Sequence, residues 1–122
     1  TRTTMHCKSG GKAILAHLPE STVRDVVDAH GLPRRTDRTI TDPDRLFDEL
    51  DRIRQQGYAL NRSEDLAGIH AVGVPLLVDG EVQGALSVAG PAHRLSQERC
   101  EGAVLDRLRA ATDEIDLTLA YR

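Results

Sequence analysis

Residues 58–91 read YALNRSEDLAGIHAVGVPLLVDGEVQGALSVAGP. Two apolar-rich runs, Ile69–Val78 and Glu81–Ala89, flank Asp79-Gly80. Asp-Gly supplies the pair of positive-φ residues that a tight hairpin turn needs, so the two runs are expected to pair as antiparallel strands. Tyr58–Asn61 is a shorter strand candidate, and Ser63–Gly68 is a polar loop between them. Along the second hairpin strand come Gly84, Ser87 and Gly90. Small residues there leave room for another segment or a ligand to approach the backbone closely. A sheet of that kind makes the floor of a small-molecule pocket. No nucleophile stands beside a base in this stretch, so it points to sensing before catalysis.

Upstream, the chain reads as helices. Gly10–Leu18 carries Ile14, Leu15 and Leu18 on one face and ends at Pro19. A second helix follows, with Ser21 as cap or Glu20 in its first turn, Val23, Val26 and Val27 as its apolar stripe, and Gly31 as its stop. After a loop over 32–41, Thr41 or Asp42 caps a third helix that has Pro43 in its first turn and closes at Gly57. Downstream of the hairpin, Ser96 caps a long helix over Gln97–Tyr121, with Val104, Leu105, Leu108, Ala111, Ile115 and Leu119 on one broad face. Hairpin, short strand and helices together make an α+β reading. Three strands against four helices is a thin sheet, which suggests further strands outside this sequence. The stripe of Leu105, Leu108 and Ile115 then reads as needing a partner.

The bulk properties narrow the function. The 122 residues make one domain or part of one, with 39% hydrophobic residues, one Phe, two Tyr and no Trp. The net charge of -3 is spread over interspersed acids and bases, which is no footprint for a phosphate backbone. The densest basic cluster, Arg34, Arg35 and Arg38, is broken by Asp37 and reads as a solvated turn. No apolar run reaches the length of a membrane span, and the first residues hold no apolar signal core, so a cytoplasmic location is expected. The opening lacks an initiator Met, which suggests a fragment.

Chemistry-bearing residues are sparse. Cys7-Lys8-Ser9-Gly10-Gly11-Lys12-Ala13 leads into the first helix. Free N–H groups at a helix start attract carboxylate or phosphate, and glycines let the anion come close. The pattern is not a P-loop, because the loop is short and Ala13 follows the lysine. Glu64 and Asp65 are adjacent; both could be surface charges, or one could turn inward as an acceptor. His6, Cys7, His70, His93 and Cys100 match no standard metal spacing. Cys7 with His70 is a conceivable nucleophilic pair, though no orienting group or oxyanion hole goes with it at fixed spacing. No cofactor is called for.

In order along the chain, MHCKSGGKAILAHLP, TITDPDRLFDELDRIRQQGYALNRSED and GIHAVGVPLLVDGEVQGALSVAGPAHRLS resemble the effector-binding domain of the IclR family of transcriptional regulators. The shared marks are the small-residue loop with GKA, the TIT helix, RxxGYA, and a strand ending in a variant of SxSGP. The resemblance implies a GAF-like (profilin-like) fold, a mixed or antiparallel sheet flanked by helices and incomplete at its N-terminal side. Residues 1–122 would then be an effector-binding domain fragment. It implies a small, often carboxylate-bearing effector, self-association as dimer or tetramer, and DNA binding by a separate winged helix-turn-helix upstream. Carried over by position, the anion cradle falls on Ser9, Gly10, Gly11 and Lys12. The acidic position after GYA falls on Asn61, and the next acid is Glu64. The sheet wall falls on Ile69, Ala71, Ser87 and Ala89. Asn61, Ala71 and Ala89 replace an acid, a cysteine and a second serine that relatives carry, so a less polar pocket is expected. The alternatives are an enzyme with a nucleophile at Cys7, and a pure dimerisation module.

Overall fold

The computed structural model describes residues 2–120, with side-chain surroundings from 5 to 115. The sheet is β1 (Ala59–Arg62), β2 (Ile69–Val78) and β3 (Glu81–Pro91), antiparallel in the order β1-β2-β3. The hairpin turn is as expected: Asp79 and Gly80 have φ of +53° and +80°. The register sets Gly73 opposite both Ala59 and Ser87, and Ala71 opposite both Asn61 and Ala89. A strand's side chains alternate between faces. One face therefore carries Ala59, Asn61, Ala71, Gly73, Ala85, Ser87 and Ala89, nearly all small. The other carries Leu60, Val72, Val74 and Leu86.

The small face is covered by α1 (Ser9–Leu15), which follows a 3₁₀ segment over Arg2–Cys7. The helix starts one residue earlier and stops three earlier than its apolar pattern suggests, well before Pro19. Behind it, α2 (Glu20–His30) and α3 (Pro43–Gln56) complete a core of Ala13, Leu15, Val23, Leu46, Leu50 and Ile53. Glu20 stands in the first turn of α2, which no side chain caps. Asp42 caps α3 by accepting a hydrogen bond from the Asp44 N–H, and Gly57 ends it with φ +86°.

The bulky face packs on the C-terminal helix. A short α4 (Gln97–Arg99), capped by Ser96, runs into an irregular π-like stretch over Cys100–Val104 before α5 (Leu105–Ala120). The expected single helix is thus broken. Gly102 takes non-helical dihedrals (φ -103°, ψ -113°), which a glycine adopts at low cost. Leu105 and Leu108 pack with Val72, Val74, Leu95 and Cys100. The stripe read as needing a partner finds that partner, over these two residues, in the chain's own sheet. Ile115 is half-buried; the Leu119 side chain and Tyr121 lie outside the described residues.

Candidate effector site

The first turn of α1 lies directly on the small face of the sheet. The contact is made at Gly73, where an added Cβ would stand 2.8 Å from the carbonyl carbon of Ser9 and 2.9 Å from the Gly10 nitrogen. The close approach expected at the β3 glycines is therefore made on β2. Gly84 faces open space, and Gly90 meets only Leu95. Beside this contact is a cavity of about 280 Å³, roofed by the loop between β1 and β2.

Eight of the ten positions carried over from the resemblance line the cavity: Ser9, Gly10, Gly11, Asn61, Ile69, Ala71, Ser87 and Ala89. Three further residues join them, namely Lys8, Asp65 and Leu66. Leu66 hangs over the opening with 54% of its surface exposed. No side chain caps α1, and the first N–H groups of a helix have no partner within it. The Ser87 hydroxyl makes no hydrogen bond among the described residues. Asn61 turns its Oδ1 to the Glu64 N–H at 2.8 Å, which leaves its amide NH₂ to donate. The polar wall therefore offers mainly donors, as an anion requires, and Ile69, Ala71, Ala89 and Leu66 supply apolar surface.

Lys12 and Glu64 are the two exceptions. Lys12 is fully buried. Its Nζ donates to Glu64 Oε1 at 2.8 Å and to the Leu60 carbonyl at 2.5 Å, with Glu49 at 3.5 Å. Glu64 Oε2 also accepts from the Arg62 N–H at 3.1 Å. This ion pair bolts α1 to β1 and α3, and neither residue lines the cavity. The expected outward or ligand-facing lysine is corrected accordingly. Its side chain runs to the β1 backbone and to Glu64 in the β1–β2 loop instead of into the cavity. The two adjacent acids split, Glu64 to Lys12 and Asp65 to the cavity. A second signal available in the sequence was Leu66, a large apolar residue in an otherwise polar loop.

Gly11 also differs from its expected role. Its missing Cβ would lie 2.4 Å from the Met5 carbonyl oxygen. Glycine is needed there to pack the 3₁₀ segment against α1, as well as to leave the amides open.

A larger cleft of about 520 Å³ lies between α3, β1 and the 34–41 loop. Arg34, Arg38, Arg45, Arg52 and Arg62 line it together with Asp37, Asp48, Glu49 and Glu64. Its charges are mixed and it is open, as a solvated polar groove would be. The smaller cavity is the better candidate because it combines apolar surface with convergent donors.

Cys7 is not an activated nucleophile. Its thiol points to Asp65 Oδ1 at 3.5 Å, while His70 Nδ1 lies 2.9 Å from the Leu95 carbonyl. Burial, and then the Asp65 charge, push the Cys7 thiol up to about 11. A raised pKa removes thiolate, the reactive form. Cys7 should resist a maleimide or iodoacetamide at pH 7.5 in the folded protein and react on unfolding; rapid labelling of the native state would contradict this. The unfolded thiol sheds its proton first, near its ordinary 9.0, so this group's contribution to stability should fall as pH rises from about 9 to about 11. His6 is bound to the Pro33 carbonyl, and no group of three or more metal-ligating side chains occurs among the described residues. No described helix is long and apolar enough to cross a membrane.

A helix laid on an alanine- and glycine-floored sheet, beside a small open cavity with donors on one wall, is an arrangement that suits a small-ligand-binding domain. The chain belongs to the family of bacterial transcriptional regulator IclR C-terminal domains, whose family model it matches over residues 1–117. The transcriptional regulator BhcR of Paracoccus denitrificans is 35% identical over 123 residues, which is 100% of this chain and 44% of that protein. The transcriptional repressor AllR of Salmonella typhi is 35% identical over 100 residues, covering 81% and 37%. The chain thus spans less than half the length of these curated relatives. Among solved structures, a double mutant of the PobR inducer-binding domain from Acinetobacter, in complex with 3-hydroxybenzoic acid, superposes with a TM-score of 0.87. It is 31% identical and covers 92% of this chain and 65% of that one. IclR of Thermotoga maritima gives 0.86 at 34% identity, covering 94% and 47%.

Proposed function

We propose that this chain is the ligand-sensing part of a transcriptional regulator, and that a small carboxylic acid occupies the cavity between α1 and the sheet. The observation that carries the reading is the convergence on one cavity of the uncapped start of α1, the unengaged Ser87 hydroxyl and the Asn61 amide, beside apolar wall. The acid's carboxylate would sit at the α1 amides and the Ser87 hydroxyl, and its hydrocarbon part against Ile69, Ala71 and Ala89. The PobR domain's complex with 3-hydroxybenzoic acid supports a small acid as ligand. The architecture is GAF-like. DNA binding would belong to a separate winged helix-turn-helix domain, and self-association would join subunits. An effector then acts only through a difference in affinity between two states of the assembly.

Calorimetric titration of the intact protein with a panel of small aliphatic and aromatic acids tests this. At least one should bind, and Ser87→Ala should weaken it by about 0.5–1.5 kcal/mol, the worth of one hydrogen bond. Absence of binding across the panel, or a ligand indifferent to Ser87→Ala and Gly10→Ala alike, would place the site elsewhere.

A further inference from the structure

We infer that Asp65 is a specificity-determining residue of this cavity: it selects carboxylic acids bearing a second group that donates a hydrogen bond, a hydroxyl or an amine, over the same acids without one. The inference rests on the effector reading above and deepens it.

Asp65 lines the cavity, and its side chain is 16% exposed. Only one of its two oxygens is occupied. Oδ1 is approached by Arg35 Nε at 3.3 Å and by the Cys7 thiol at 3.5 Å. Oδ2 accepts no hydrogen bond among the described residues. An ionised carboxylate accepts on both oxygens, and Oδ2, which is not among the buried polar atoms lacking a partner, keeps contact with water that a ligand in the cavity would displace.

The carboxylate is also held in place. The Thr36 hydroxyl donates to the Ser63 carbonyl and the Thr39 hydroxyl to the Glu64 carbonyl, each at 2.5 Å. The Gly68 N–H donates to Ser63 Oγ at 3.1 Å. The loop that carries Asp65 is therefore clamped from both sides before any ligand arrives, so little ordering is needed on binding.

A fixed carboxylate in a cavity for anions looks contradictory. Arg35 offsets part of its charge, and a donor on the ligand changes the sign of the remaining interaction. A plain acid offers Asp65 only hydrocarbon, so Oδ2 loses water and gains nothing. A hydroxy or amino acid gives Oδ2 its missing donor. Sites built to hydrogen-bond a ligand group reject the analogue lacking it more strongly than apolar walls reject an extra group. Asn61 is the weaker candidate for this part, because its neutral oxygen already accepts from the Glu64 N–H while Asp65 offers a charged one.

The test is calorimetric titration of the intact protein with matched acids: butyrate, 3-hydroxybutyrate and 4-aminobutyrate, and benzoate with 3-hydroxybenzoate. In the wild type, at least one donor-bearing acid should bind about tenfold or more tighter than its plain counterpart. Asp65→Asn keeps the volume but not the charge, and should abolish any preference for the amine. Asp65→Ala removes the acceptor and should bring each pair to within about threefold. Plain acids that bind as well as their partners in the wild type overturn the inference and leave the effector reading standing. So does a preference that survives both substitutions. If none of the five acids binds, the effector reading falls and this inference falls with it.

Discussion

Replacing Lys12 by alanine will cost the fold about 3–5 kcal/mol, the usual penalty for stripping one partner from a buried ion pair. The ammonium has three donors, and the structure directs them at the Leu60 carbonyl, Glu64 and Glu49. None of the lysine is exposed, and only 11% of the Glu64 side chain is. Without Lys12, the Glu64 carboxylate keeps the Arg62 N–H but loses its cation. The Leu60 carbonyl loses a donor as well. Against a total stability of about 5–15 kcal/mol, such a loss can unfold the chain. Urea denaturation checks it, and a midpoint shift worth under about 1 kcal/mol would contradict the assignment. The double change Lys12→Met with Glu64→Gln should recover much of the loss, because it removes both charges together. A lysine that merely touched ligand would weaken binding and leave the midpoint alone.

The second large effect is expected at Gly73. A methyl group there would press on the backbone of Ser9 and Gly10 at 2.8–2.9 Å, and backbone cannot step aside as a side chain tip can. Gly73→Ala should lift α1 from the sheet, at about 1–3 kcal/mol for the overpacking. The rigid helix would carry Lys12 away from Leu60, adding to the loss. Gly11→Ala should be similarly damaging, through Met5. Gly10→Ala is the informative contrast. Its Cβ would sit 3.7 Å from Ala85 Cβ and 3.8 Å from Ser87 Oγ, ordinary contact distances. That variant should fold as well as the parent, yet bind acids poorly, because its methyl stands between the Ser87 hydroxyl and the helix amides. Denaturation and titration of the three variants separate the roles. Equal stability for Gly73→Ala and Gly10→Ala would contradict the packing described here.

The hairpin, the capped α3 and the apolar faces of the helices were legible from the sequence because each is a local matter. Asp79-Gly80 carries its own turn, and Asp42 with Pro43 marks a helix start. The order of motifs was specific enough to suggest the family, and through it most of the cavity-lining positions. The direction in which Lys12 points was not legible. The same GGK could present a lysine to solvent, to a ligand or to a buried acid, and the choice depends on Glu64 and Glu49 arriving from β1–β2 and α3. Nor did spacing tell which of Glu64 and Asp65 faces the cavity, since a loop has no fixed period. The break at Gly102 escaped the pattern because glycine only permits a bend; packing of Leu105 and Leu108 on β2 accompanies it. Local conformational preference fixed the elements. Which small residue receives the helix, which acid receives the lysine and which is left facing the cavity were decided by contacts between segments far apart in the chain.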